Sequence, residues 1–143
     1  MFLVLYIMML CSPPNATLQE VRNTYGECSK SEKLCDKMLA QLNNTTSAEL
    51  LGYKACLNMM KASWATWPNQ KLAYFNDGKM QLEKAIKAHP TNIELRYLRY
   101  SVQKAIPSYL DYDNMATDLA FLKKNVASLT DLQLKKMIEN HIK

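Results

Sequence analysis

The chain has 143 residues, 48% hydrophobic and 22% charged, with 18 Lys and Arg against 13 Asp and Glu. These proportions exclude extended disorder and leave room for one domain with a buried core. The net charge of +5 is dispersed: lysines mix with acids throughout, and the only adjacent basic pairs are Lys123-Lys124 and Lys135-Lys136, so no nucleic-acid partner is expected.

Residues 1–11, MFLVLYIMMLC, form an apolar run too short to span a bilayer. The small and helix-breaking residues Ser12-Pro13-Pro14-Asn15-Ala16 follow it. The pair reads as the apolar and cleavage regions of a signal peptide over residues 1–16, with cutting near Ala16 or Ser12, although no basic segment precedes it. Export to a periplasmic or secreted location is the expectation, without stable membrane insertion once the leader is removed. A single helical-pair domain then occupies residues 17–143.

Only three glycines and five prolines punctuate the chain, too few for a sandwich or barrel. Helix-start signals recur instead. A Ser or Thr followed three residues later by Glu or Gln forms a capping box, and the pattern occurs at Thr17…Glu20, Ser29…Glu32, Thr46…Glu49, Thr91…Glu94 and Thr130…Gln133. Pro68 suits the first turn of a further helix, and Asp111 or Asp113 can cap another. Helical periodicity runs between these points, as in Leu72, Phe75, Leu82, Ile86 and in Leu95, Leu98, Val102, Ile106. The spacing predicts an all-α fold of about seven helices, near 18–27, 30–43, 47–65, 69–88, 92–105, 113–127 and 131–141. Short connections make sequential helices antiparallel.

Within GKMQLEKAIKAHP, Gly78, Leu82, Ala85 and Pro90 stand at the offsets of the second helix of a tetratricopeptide repeat, so the chain resembles a divergent tetratricopeptide-like array. Small residues at 78 and 85 imply close helix approach. The segments LLGYKACLNMMKASW, WPNQKLAYFNDGKMQLEKAI and PTNIELRYLRYSVQKAIPSYLDY resemble a group of small, exported, uncharacterised helical proteins of Gram-negative bacteria, from about Val21 to Val126. That resemblance implies fold and export and brings no activity.

Of the residues able to carry chemistry, few assemble into a pattern. No HExxH, CxxC, GxSxG or glycine-rich phosphate loop is present, and no catalytic residue, metal ligand or cofactor is expected. With the leader removed, Cys28, Cys35 and Cys56 remain. Cys28 and Cys35 form a possible disulfide if they bracket a turn; within one continuous helix they would stand roughly 10 Å apart, too far to bridge. Arg96, Arg99 and Gln103 share one flank of the fifth helix, and Tyr100 lies just beyond. Arg99 falls about 40° from Leu95 on the helical wheel, at the edge of the buried stripe. It is therefore expected to pair with Glu83 of the preceding helix, the alternative being a clamp for an anionic partner. Trp64 and Trp67, with Tyr74 and Phe75, concentrate aromatics at the turn between the third and fourth helices, as a clasp or a partner-binding anchor.

The expected function is a non-enzymatic interaction or scaffold domain presenting a helical-pair surface to a protein or peptide. The alternative is a small helical carrier enclosing an apolar ligand, with Met38, Met59, Met60, Met80, Met115 and Met137 available to line its cavity. The two separate on one feature: a sealed core is incompatible with the carrier.

Overall fold

The computed structural model describes residues 16–143, so the leader expected over residues 1–16 lies, but for Ala16, outside the described residues. Seven α-helices form and no strand does among the described residues: α1 Leu18–Cys28, α2 Glu32–Gln41, α3 Ala48–Lys61, α4 Pro68–Ala88, α5 Ile93–Ala105, α6 Met115–Asn125 and α7 Leu132–His141. Short 3-10 turns, Ser108–Leu110 and Val126–Ser128, precede and follow α6.

The helix starts fall close to the predicted points, but only one capping box closes. Thr17 accepts from the Glu20 amide while Glu20 accepts from the Thr17 amide. Elsewhere the cap moves by one or two residues, to Ser31, Ser47, Asn92 and Asp131, each accepting from the amide three residues on. Partners on other helices have taken several of the residues meant to close the boxes. Glu94 accepts from Arg22 of α1, Glu49 from Asn92, and Gln133 bonds Arg22 and Asn23. Ser29, expected to start α2, ends α1 and donates to the Gly26 carbonyl at 2.8 Å. Pro68 occupies the first turn of α4 as expected. Neither Asp111 nor Asp113 is the N-cap of α6; Asn114 holds that place, fixed by Gln103, whose Oε1 accepts from the Asn114 amide at 2.7 Å and whose Nε2 donates to Asn114 Oδ1 at 3.0 Å. Asp111 instead ends the first 3-10 turn in the left-handed region, φ 46°, which Asp tolerates better than most residues.

Each helix contacts its successor up to α6. The odd-numbered helices also touch in series, α1 on α3, α3 on α5 and α5 on α7, giving one row with α2, α4 and α6 set against it. The larger hydrophobic cluster joins α1 to α5 around Val21, Cys28, Tyr53, Leu57, Leu82, Leu95 and Leu98. A smaller one joins α5 to α6 and α7 through Tyr97, Tyr100, Leu122, Val126, Leu134 and Ile138.

The α3–α4 hairpin has the most extensive pairing, and Gly78 explains why. A Cβ at Gly78 would lie 2.5 Å from both the Ala55 carbonyl oxygen and Met59 Cγ, and 3.0 Å from the Met59 amide nitrogen. Absence of a side chain therefore lets α4 rest on the backbone of α3. At Gly52 a Cβ would collide chiefly with methyl groups of Leu95 and Leu98, which can rotate, whereas at Gly26 nothing lies within 4 Å.

The three glycines should accordingly respond differently to alanine in equilibrium urea unfolding. Gly78→Ala is expected to destabilise by about 1–3 kcal/mol through overpacking against backbone. Gly26→Ala is expected to stabilise by up to about 1 kcal/mol through helix propensity. Gly52→Ala should fall between them. Equal responses at all three positions would contradict the close approach at Gly78.

Candidate functional site

Where α5 ends, the molecule opens. An apolar groove of about 780 Å³ lies between α1, α3, α4 and the C-terminal end of α5, within the roughly 300–1,000 Å³ range of small-molecule sites. Tyr25 of α1, Cys56, Met59 and Met60 of α3, Phe75 of α4, and Ser101 and Val102 of α5 contribute to its walls. Leu72 and Tyr109 stand at its edge, both exposed.

Small side chains leave the space unfilled: Gly26, Ala62, Ser63, Ser101 and Ala105 all line it. The chain path contributes as well. Ile106 is extended and Pro107 follows it, so α5 stops and the chain leaves through Ser108–Leu110 along the groove's rim.

The groove's titratable interior is uncharged in character. Burial pushes the Cys56 thiol up to about 12, so it stays protonated at neutral pH. Burial likewise raises the Tyr25 hydroxyl, which faces Cys56 and Ser101. His141 reaches the groove from the end of α7; burial, then the nearby Lys104, lowers its pKa. Its Nδ1 lies 3.0 Å from the Tyr97 hydroxyl.

The residues singled out in sequence are placed mostly elsewhere. Arg99 is buried and spends its guanidinium internally: Nε and Nη2 donate to Asp118 at 2.7 and 2.8 Å, and Nη1 donates to Glu83 at 3.1 and 3.0 Å. The Glu83 pair is the expected one, while Asp118 was not foreseen. Arg96 shares Asp118, donates to the Pro90 carbonyl and stacks on Phe121 at 4.4 Å. Gln103 caps α6, and Tyr100 is buried in the smaller cluster. Neither Arg nor Gln103 faces the groove.

The aromatic group at the α3–α4 turn divides. Trp64 packs against the larger cluster and Phe75 is buried edge-on to Tyr112, with centroids 6.2 Å apart, whereas Trp67 is 64% exposed. Cys28 and Cys35 bracket the α1–α2 turn as expected, and both are free thiols in the structure; Cys35 Sγ donates to the Leu57 carbonyl at 3.5 Å. Burial raises both thiols, Cys35 to about 12. Of the six methionines considered for a cavity, Met59 and Met60 line it; Met38 is core, Met80 is exposed, and Met115 and Met137 pack against the smaller cluster.

Among the described residues no cluster of His, Cys, Asp or Glu is arranged to hold a metal, and no helix is long and apolar enough to cross a membrane. Comparison with protein families, with curated proteins and with solved structures finds no match to this chain.

The buried arginine generates a test. Asp118 is fully buried and held by Arg99 and Arg96 together. Arg99→Ala removes the two-bonded partner of Asp118, while Glu83 keeps the Tyr112 hydroxyl and water, so the loss at Asp118 is expected to cost about 3 kcal/mol or more. Arg96→Ala leaves Asp118 two of its three bonds and should cost less than half as much. Urea unfolding of both variants checks the order, and equal costs would show that Asp118 does not depend on Arg99.

Proposed function

We propose that this chain is a non-enzymatic binding domain that takes an apolar ligand into the groove between α1, α3, α4 and α5. One observation carries the reading: the core is not sealed, and the opening is a cavity of about 780 Å³ walled largely by apolar side chains. The ligand's gain is removal of apolar surface from water, on the order of 25 cal/mol per Å². Met59 and Met60 supply walls that adjust to ligand shape. Burial keeps the Cys56 thiol protonated and the Tyr97 hydroxyl engages His141 Nδ1, which favours binding over chemistry.

A protein or peptide partner is the second reading, favoured by the exposed Trp67 and by Leu72 and Tyr109 at the groove's edge. It rests on the tetratricopeptide-like offsets of Gly78, Leu82, Ala85 and Pro90. Export, resting on the apolar leader, belongs to both readings.

The test is titration with an apolar fluorescent dye followed by displacement with alkyl compounds. Saturable binding at one site per chain is expected. Ala105 is exposed at the end of α5 and lines the groove, so Ala105→Trp should fill it without crowding the core and weaken dye binding at least tenfold, with circular dichroism and unfolding midpoint unchanged. An Ala105→Trp protein that binds the dye as tightly as the wild type would remove the groove from the mechanism.

A further inference from the structure

We infer that the ligand of this groove is an anionic single-chain amphiphile, an alkyl tail ending in a carboxylate or similarly compact anionic head, with the head placed at Lys71. The inference deepens the binding reading and depends on it. Three observations converge.

The first is charge. Twenty residues line the groove and none is Asp or Glu, although the chain carries 13 acids. Lys71 is the one lining residue with a permanent charge, and among the described residues no carboxylate lies within salt-bridge distance of it. The acid beside the α1 wall, Glu27, is bound to Lys30 at 3.3 Å. Other cations near the groove are engaged elsewhere: Lys104 donates to the His141 carbonyl at 3.0 Å, and Lys61 pairs with Glu32 at 3.3 Å and with Asp36 at 2.6 Å. An anion at this mouth meets attraction from Lys71 and no carboxylate among the lining residues, whereas a cationic head meets an unanswered ammonium.

The second is the polarity gradient. Cys56, Phe75 and Val102 are buried and apolar in character, while Lys71, Ser29 and Ser63 bring polar groups to more exposed positions. A molecule with an apolar body and one charged end matches both zones at once, because the tail is desolvated and the head keeps its water.

The third is the state of the interior. Cys56 and Tyr25 hold their protons and His141 sits against Tyr97, so the deep groove offers no fixed charge to a buried head. A charged head therefore stays at the rim, which is where Lys71 lies.

The experiment is isothermal titration of the full chain with three probes of equal tail length, dodecanoate, dodecan-1-ol and dodecyltrimethylammonium, the two ions below their micelle concentrations and the alcohol below its solubility limit. Dodecanoate should bind tightest, exceeding the alcohol by roughly two- to fivefold, the range of an exposed charge pair, and the advantage should shrink as salt is added. Lys71→Gln should reduce dodecanoate binding to the level of the alcohol and leave the alcohol unchanged. If the alcohol or the cation matches dodecanoate, or Lys71→Gln weakens nothing, the head-group inference is overturned while the apolar groove stands. If none of the three probes binds, the binding reading falls with it. If free dodecanoate fails but the chain co-sediments with vesicles containing anionic phospholipid, the surface recognises a membrane and the inference is overturned in that direction.

Discussion

The architecture depends on answering the charges that α5 buries. Nine residues of this helix are buried, among them the neutral amide Gln103 and the charged Glu94 and Arg99. An unpaired charge taken out of water costs several kcal/mol, so each must meet a partner on another helix. Arg22 of α1 grips Glu94 with two bonds of 2.7 Å, and Tyr53 of α3 adds a third at 2.8 Å. Arg22 also reaches Asp131, the cap of α7, at 2.8 Å. Farther along, Arg99 takes Glu83 of α4 and Asp118 of α6, and Tyr112 donates to Glu83 at 2.5 Å. Among the described residues every buried side-chain nitrogen and oxygen has a partner. A purely apolar set could be equally stable. What the pairs add is discrimination, since sliding α5 by one turn would strand several charges together.

The same arrangement accounts for the groove. The keyed part of α5 runs from Glu94 to Gln103, with its charged groups turned towards α1, α4 and α6. Nearer its C-terminal end, Ser101, Val102 and Ala105 carry small or short side chains towards α1, α3 and α4. Ion pairs hold the helix in position, so α5 is not free to collapse into the space those residues leave. Gly78 sets the separation of the opposite walls by seating α4 on Ala55 and Met59. The cavity is thus held open by contacts outside it, the condition under which binding loses least to ligand-induced ordering.

Much of the fold was legible because helices announce themselves periodically. The seven helices, the Pro68 start and the close approach at Gly78 follow from spacing and residue size. Arg99 and Glu83 were legible for a related reason: angular position and antiparallel packing suffice to bring two helix middles together. Asp118 was not, because nothing local distinguishes a buried aspartate on α6 from a solvated one. The capping boxes failed where a tertiary partner outbid the local bond, as when Arg22 took Glu94. The groove was least legible of all. It arises from small residues on three separate segments, and a missing side chain has no periodic signature. Met59-Met60 was the one local hint, and Lys71, Ser101 and Tyr109 carried none.

The interior chemistry of the groove bears on how a ligand can lie in it. Cys56 is pushed towards its thiol form and Tyr25 towards its phenol, while His141 is pushed towards neutral imidazole, all chiefly by burial. These three shifts have one cause and one consequence: at neutral pH the walls carry no charge deeper than Lys71. A thiol with a pKa of about 12 presents negligible thiolate at pH 7, so the cysteine in the wall is an apolar surface rather than a nucleophile. An ionised ligand group driven inward would be desolvated with no counter-charge to meet it. In the proposed binding mode an amphiphile would therefore lie tail inward and head at the rim, for reasons of wall charge as well as of shape.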